Sequence, residues 1–320
     1  MDTKRFGFHS IIRLSTDDCD SLTYCAQDPL TPPPSDYSNH DSEVSVSPTF
    51  RLEADWHDHI PNITLISTDS VAFYVHSQTL LDASDNGFRS LIPTPISDTP
   101  QVLYVPEFSE TLNLILHVVY RMPFSRRYTF EDLSTVVHLL PVYGVHPKSY
   151  ILPDTHMYMS LLSYSPILPL QVYTLAAKHG LEELAVPTSS HLLALDLSTL
   201  SDETAEAIGS EYLRRLFFLH IGRVDALKRL LLQPPNLHPP TDDCDAIGQS
   251  AMTRVWALAS AYLAWDSRPD LSANLLESTF TPLKKEITCD LCKKNLETRI
   301  EHLSSQWSQV YYMNSNGDPA

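Results

Sequence analysis

The chain has 320 residues and a net charge of −17, with 39 acidic and 22 basic side chains. Binding to DNA or RNA depends on clustered Lys and Arg, so this charge argues against nucleic acid as a direct partner. No stretch approaches the ~20 apolar residues of a membrane span, and the N-terminus lacks the apolar segment of a secretory signal. The five cysteines show no spacing typical of a disulfide-bonded scaffold. We therefore expect reduced thiols, no membrane partner, and a cytoplasmic or nuclear location.

Residues 1–58 differ in composition from the rest of the chain. They carry 11 acidic and 4 basic residues, and they include the Pro- and Ser-rich runs 31–36 and 42–48. So little apolar surface cannot offset the entropy lost when a chain becomes ordered. The composition predicts a disordered acidic tail over residues 1–58 that contributes little to stability.

The next segment contains short β-rich runs. Residues 62–67 and 73–75 flank the turn residues Asp69-Ser70 and predict a hairpin. A short helix is predicted from Thr79, and residues 102–105 predict a third strand. The order of these elements is typical of a mixed α and β structure.

From Ser109 onward the apolar period becomes helical. Ser109 itself is a candidate capping residue, and residues 141–169 are Pro-rich and loop-like. Helices are predicted near residues 109–119, 130–140, 170–184, 211–232, 252–263 and 296–310. The sequence therefore predicts an α+β fold in which an all-α part follows the mixed part.

The stretch over residues 62–88 resembles the opening of BTB/POZ domains, which read roughly Asp-Val-x-Leu, a turn, Phe-x-Val-His-Lys, and then Leu, Ser and Phe. The matching residues are Ile63, Leu65, Asp69, Phe73, Val75, His76, Leu80, Ser84 and Phe88. Residues 212–223 and 256–259 are similar to the helical extensions of fungal BTB-domain proteins, so the resemblance covers roughly residues 60–310. It implies a BTB/POZ-like domain over residues 59–150 and a helical extension over residues 151–312.

Two positions depart from the family pattern. Asn62 stands where many members have Asp, and Ser77 stands where they have Lys or Arg. In the transcription-factor branch these two positions form a charged pocket at the dimer centre, and here neither charge is present. For His76, the resemblance implies a buried ring that makes a hydrogen bond at the junction of strand and helix.

The resemblance implies a protein–protein interaction module that acts as an adaptor or scaffold, binding itself as a homodimer or another protein. A substrate adaptor of a cullin-type ubiquitin ligase is the alternative within that class. The eight glycines lie too far apart for a dinucleotide or phosphate loop, and neither Gly-x-Ser-x-Gly nor His-Glu-x-x-His occurs. We therefore expect no catalysis and no cofactor.

The pair Cys289 and Cys292 is the sharpest chemical motif. Two thiolates at this spacing can share a zinc ion, with His302 or Cys244 as a further ligand, or can form a redox pair. Both cysteines also continue an apolar stripe at helical spacing, and free cysteine commonly packs as a small hydrophobe. The stripe goes on through Leu296, Ile300, Leu303, Trp307 and Val310. We therefore interpret the pair as core residues, with zinc binding and thiol redox chemistry as alternatives.

Two further clusters have ordinary interpretations. The run His57-Asp58-His59 offers two ligands without partners nearby, so it predicts a polar lead-in to the first strand rather than a metal site. Five basic residues between 214 and 229 predict a solvated helix face, with docking of an acidic tail or partner as the alternative. They are Arg214, Arg215, Arg223, Lys228 and Arg229.

Overall fold

The computed structural model describes residues 44–55, 59–93 and 100–310. These residues form one small sheet of four strands and twelve α-helices. The mixed, mostly helical class predicted from the sequence is thus confirmed. Within the same residues, no helix has both the length and the apolar composition needed to cross a membrane.

The sheet contains strands β1 (Ser45–Val46), β2 (Ile63–Ile66), β3 (Val71–Val75) and β4 (Gln101–Tyr104), in the order β1-β3-β2-β4. The hairpin β2–β3 is antiparallel and pairs Leu65 with Phe73. Strand β4 runs parallel to β2, and β1 runs parallel to β3. Alternate side chains of β2 are buried, as expected when one face of a strand packs on the core.

The described part of the predicted tail is ordered. Residues 44–55 contain β1, and the side chain of Phe50 is fully buried with its ring 5.6 Å from that of Tyr120. The carbonyl of Phe50 also accepts a hydrogen bond from the N–H of Tyr74 at 2.8 Å. The prediction of disorder is therefore wrong for this stretch, because one aromatic anchor outweighs the average composition. Residues 1–43 and 56–58 lie outside the described residues, and for them it stays a prediction.

Four helices follow in the first half of the chain: α1 (Ser77–Ala83), α2 (Gly87–Ser90), α3 (Ser109–Val119) and α4 (Phe130–Leu139). Helix α4 begins with a capping box, in which Thr129 and Asp132 bond to each other's backbone N–H groups.

The next four helices are α5 (Pro147–Tyr150), α6 (His156–Ser163), α7 (Pro169–His179) and α8 (Glu182–Ser189). The loop predicted over residues 141–169 is wrong where α5 and α6 form, since Thr155 caps α6 by accepting a hydrogen bond from the N–H of Tyr158. The helix predicted to reach residue 184 instead ends at His179, because Gly180 adopts a left-handed conformation at φ 62°.

The last four helices are α9 (Asp202–Leu231), α10 (Ala246–Trp265), α11 (Ala273–Phe280) and α12 (Asp290–Gln309). Gly209, at φ 78°, interrupts α9, so the predicted helix over residues 211–232 is its second part. Helix α11 was not predicted, because it is only eight residues long.

The buried apolar side chains form two clusters. The first extends from Phe50 to Leu219 and combines the sheet with α3, α4 and α6–α8. The second extends from Leu227 to Trp307 and joins the end of α9 with α10–α12. The first cluster ends and the second begins within α9. The boundary between the two cores therefore does not lie near residue 150, where the resemblance implies that the BTB/POZ-like domain ends and the helical extension begins.

Candidate functional site

The residues that carry the BTB/POZ resemblance lie mainly in the first core. Six of them are buried: Ile63, Leu65, Phe73, Val75, Leu80 and Phe88. Ser84 links two segments, because its hydroxyl donates to the carbonyl of Tyr143 at 2.6 Å and accepts from the N–H of Phe88 at 2.7 Å. These positions therefore serve the packing of the domain.

The start of α3 is capped from the hairpin turn. The carboxylate of Asp69 accepts hydrogen bonds from both the backbone N–H, at 2.8 Å, and the hydroxyl of Ser109. Ser109 is the first helical residue, so the prediction that it caps the helix is wrong. Burial raises the pKa of Asp69, but the hydrogen bonds from Ser109 and Ser67 outweigh it and hold the pKa below its usual value.

The two positions that depart from the family pattern contact each other. The amide nitrogen of Asn62 donates to the hydroxyl of Ser77 at 2.8 Å, and the amide oxygen of Asn62 accepts from the backbone N–H of Ser77 at 2.9 Å. Ser77 is buried. A neutral, reciprocal pair of hydrogen bonds thus joins the start of β2 to the start of α1.

His76 lies at the junction of β3 and α1. Its backbone N–H donates to the hydroxyl of Tyr120 at 2.8 Å, and its ring nitrogen Nε2 lies 2.9 Å from the carbonyl of His59. The expected hydrogen bonding is present, but the residue is half-buried rather than buried. His59 contributes only its carbonyl to this contact, and His57 and Asp58 lie outside the described residues.

One exposed apolar surface lies on and next to β4. Val102 and Tyr104 point outward from this edge strand, and Phe108 follows a few residues later. Tyr104 is 73% exposed. We call these three residues the β4 surface.

A second exposed apolar surface follows one side of α10. Leu258, Tyr262 and Trp265 are spaced four and three residues apart, so they share a helix face. Trp265 is 92% exposed. We call these three residues the α10 surface.

The basic residues of α9 do not share one face. Arg223 is 1% exposed, and its guanidinium lies 4.1 Å from the centre of the Trp307 ring. Arg215 pairs with Glu182 and Glu211. The predicted solvated face is wrong for Arg223, since the second core encloses its side chain. Three of the five are exposed: Arg214, Lys228 and Arg229.

Two histidines join α4 to α7. The ring nitrogen Nδ1 of His138 lies 2.7 Å from Nε2 of His179. Burial lowers the pKa of both rings, and for His179 the neighbouring His138 and Lys178 add to this effect and bring the pKa to about 4. Both rings are therefore neutral at neutral pH.

Four potential metal ligands converge beside the second core. The connector between α9 and α10 supplies His238 and Cys244, and the start of α12 supplies Cys289 and Cys292. Their ligand atoms all lie within 4.8 Å of one another. The Sγ atoms of Cys244 and Cys292 are 3.8 Å apart, and Nε2 of His238 lies 3.4 Å from Sγ of Cys289 and 3.3 Å from Sγ of Cys292. We call these four residues the Cys3His cluster.

The surroundings of the cluster affect its thiols differently. Hydrogen bonds from the backbone N–H groups of Cys292 and Leu291 lower the pKa of Cys289 to about 7, against the opposing effect of burial. This thiol precedes the first turn of α12, where backbone N–H groups favour an anion. Burial raises the pKa of both Cys244 and Cys292, and the Cys289 thiol adds to this effect at each of them.

The structure supports only part of the sequence interpretation of these cysteines. Cys292 is buried on the stripe with Leu296 and Trp307, as core packing requires. Cys289, however, precedes α12 rather than lying within it, and His302 is exposed and outside the cluster. His238 was missed, and its only sequence signal is a histidine six residues before Cys244 in a Pro-rich stretch. Core packing does not explain why Nε2 of His238 lies 3.4 and 3.3 Å from two sulphur atoms.

Comparison with protein-family models, with curated proteins and with solved structures finds no match. The function therefore has to be argued from the residues of this chain.

Proposed function

We propose that the chain is a non-catalytic protein–protein interaction module that acts as an adaptor or scaffold through a BTB/POZ-like N-terminal half. The hairpin β2–β3, the third strand β4 and helix α3 lie where the sequence predicts them. The motif residues supply the core of this half. The sequence contains none of the glycine-rich or nucleophile motifs considered above.

The observation that carries the proposal is the pair of exposed apolar surfaces. Large apolar side chains that remain in water on neighbouring positions commonly mark protein interaction sites, and aromatic residues are enriched there. The β4 surface contributes Tyr104, and the α10 surface contributes Trp265. Two such surfaces on different elements allow one chain to hold two partners, which is what an adaptor does.

The β4 surface suits a partner that adds a strand. Because β4 pairs only with β2 among the described residues, one row of its backbone N–H and C=O groups faces away from the sheet. Exposed edge strands accept a strand from another chain, with alternate side chains adding specificity. A second copy of this chain is the simplest such partner and gives a homodimer.

The test compares two aromatic-to-lysine variants that serve as controls for each other. We expect the purified protein to be a dimer by analytical ultracentrifugation. Tyr104→Lys should make it monomeric without changing its circular dichroism, because a charge on an edge strand opposes pairing. Trp265→Lys should leave the dimer intact. A protein that stays monomeric up to high concentration, or a Tyr104→Lys variant that stays dimeric, would contradict β4-mediated association.

Binding of other proteins is tested with the same variants. Affinity purification from the source cell should recover partners that Trp265→Lys loses and Tyr104→Lys retains, because the α10 surface is expected to act independently of dimerisation. Titration with a purified cullin tests the ubiquitin-ligase alternative directly. A chain that forms no dimer and loses no protein partner with either variant would overturn the interaction function.

A further inference from the structure

The Cys3His cluster has the composition and spacing of a closed tetrahedral metal site. Zinc binds thiolate sulphur at about 2.3 Å and imidazole nitrogen at about 2.0–2.1 Å, so a tetrahedron has edges of about 3.8 Å between sulphurs and about 3.6 Å between sulphur and nitrogen. The distance from Cys244 Sγ to Cys292 Sγ is 3.8 Å. The distances from His238 Nε2 to Cys289 Sγ and Cys292 Sγ are 3.4 and 3.3 Å. These three distances are close to the edges of such a tetrahedron, and all four ligand atoms lie within 4.8 Å of one another.

His238 is held in the tautomer that can bind a metal through Nε2. Its Nδ1 lies 2.7 Å from the carbonyl of Pro239, which can only accept a hydrogen bond. Nδ1 therefore carries the ring proton, and the lone pair of Nε2 faces the sulphur atoms. The backbone of His238 is fixed as well, because its carbonyl accepts from the side chain of Gln249 at 2.9 Å. Gln249 is itself buried on α10.

The alternative chemistries fit less well. The sulphurs of Cys244 and Cys292, 3.8 Å apart, belong to two separate thiols and not to a disulfide, whose S–S bond is ~2.05 Å. Packing alone accounts for buried sulphur, but it does not account for an imidazole lone pair aimed at the sulphurs of Cys289 and Cys292. Four protein ligands also fill a tetrahedron, which is typical of structural rather than catalytic zinc.

The Cys3His cluster lies between helix α12 and a connector that has little regular structure. The connector between α9 and α10, residues 232–245, contains no helix, and its only β-type pairing among the described residues is the isolated bridge between Thr241 and Cys244. Most of its side chains are exposed. It also contacts α12 through Arg299, which donates to the carbonyl of Gln233 at 2.9 Å. An ion held by both segments would fasten this connector to the start of α12.

We propose that His238, Cys244, Cys289 and Cys292 bind one structural Zn²⁺ that joins the α9–α10 connector to α12. The site does not depend on the interaction function proposed above, because it lies in the second core and involves neither exposed surface. Its ligands come from two segments about 50 residues apart. Binding energy at such a site is therefore folding energy for the helices that it joins.

The first experiment measures metal in the full-length chain, purified under reducing conditions with any histidine tag removed. We expect about one zinc per chain by mass spectrometry. Replacement by Co²⁺ should give the visible ligand-field bands of a tetrahedral site and a thiolate-to-cobalt charge-transfer band. X-ray absorption of the zinc protein should show three sulphur neighbours and one nitrogen neighbour.

Matched variants then identify the ligands. His238→Ala and Cys244→Ser should lose the metal, whereas His302→Ala, on the exposed side of α12, and the double variant Cys19→Ser/Cys25→Ser should keep it. A strong chelator should lower the melting temperature and helicity of the wild type and of both controls. Where a ligand variant fails to fold, the cobalt spectrum and X-ray absorption of the wild type still decide the question.

Three results would overturn the proposal. The first is protein from zinc-supplemented medium that contains no metal and whose unfolding is unchanged by added Zn²⁺. The second is a metal that remains after both His238→Ala and Cys244→Ser are introduced. The third is a disulfide among the cluster cysteines in freshly prepared, folded protein, which would instead support the thiol redox alternative.

Discussion

The side chain of Asn62 and residue Ser77 exchange two hydrogen bonds, of 2.8 and 2.9 Å, across the start of the sheet. The resemblance implies opposite charges at these two positions in many family members. Here the same two positions are joined without charge, so the contact holds β2 and α1 together and offers no charged pocket to a partner. The hydrogen bonds account for the pairing of these two polar residues in this chain.

Loss of the Asn62 side chain should destabilise the fold measurably. Asn62→Ala leaves the buried N–H of Ser77 without its acceptor, which typically costs about 1–3 kcal/mol. Asn62→Asp should cost less, since a carboxylate can accept from both the N–H and the hydroxyl of Ser77. Urea unfolding measures both variants. Asn113→Ala, which removes only a long 3.5 Å contact with Tyr128, is the control and should cost less than Asn62→Ala.

Phe88 should be a structural anchor of the first core. Its side chain is fully buried, and its ring lies 4.6 Å from that of Tyr143. Phe88→Ala should therefore lower the free energy of unfolding by about 3–5 kcal/mol. Phe218→Ala, at an exposed position on α9, should change it by less than about 0.5 kcal/mol. Equal effects of the two variants would show that the alignment of Phe88 with the family motif is wrong.

Two deletions distinguish the contribution of residues 44–55 to stability from that of residues 1–43. Removal of residues 1–43 should leave the melting temperature nearly unchanged, because their composition offers little apolar surface to bury. Removal of residues 1–55 also deletes β1 and Phe50, so it should lower the melting temperature by several degrees. Phe50→Ala alone should cost about 3–5 kcal/mol. Equal melting temperatures for the two deletions would contradict the packing of Phe50.

The pair of histidines between α4 and α7 should make stability depend on pH. The pKa of His179 falls from 6.5 in an unperturbed histidine to about 4, so between these values the unfolded chain binds more protons than the folded one. Stability should therefore be fully present above about pH 6.5 and decrease as the pH falls toward 4. Urea unfolding at several pH values measures this decrease.

Two variants distinguish the effect of His179 on the pH dependence of stability from that of the other titrating groups. His179→Gln should show a shallower decrease than the wild type over the same range, because it has no imidazole to protonate. His191→Gln removes an exposed histidine and should follow the wild-type curve. A His179→Gln variant as sensitive to acid as the wild type would show that other groups cause the loss.

Much of the secondary structure could be predicted from the sequence, because its signals are local. Alternation in residues 62–75 indicates the hairpin β2–β3, and the helical period after Ser109 indicates α3. The failures have one local and one non-local cause. Helix α6 lies in a Pro-rich stretch where Thr155 supplies the cap, and β1 forms only because β3 offers it a partner.

Part of the candidate metal site could be predicted from the sequence, and the rest depends on the tertiary structure. Cys289 and Cys292 lie three residues apart, so their capacity to share an ion is visible in the sequence, and so is the place of Cys292 on the apolar stripe of α12. His238 and Cys244 lie about 50 residues earlier in a connector without periodicity, and no local pattern relates them to the pair. Only the packing of α9, α10 and α12 brings the connector to the start of α12, because burial of the second core sets which distant segments meet. The sequence alone offered Cys289 and Cys292 with His302 or Cys244 as a further ligand, and the tertiary structure decided that Cys244 and His238 complete the set.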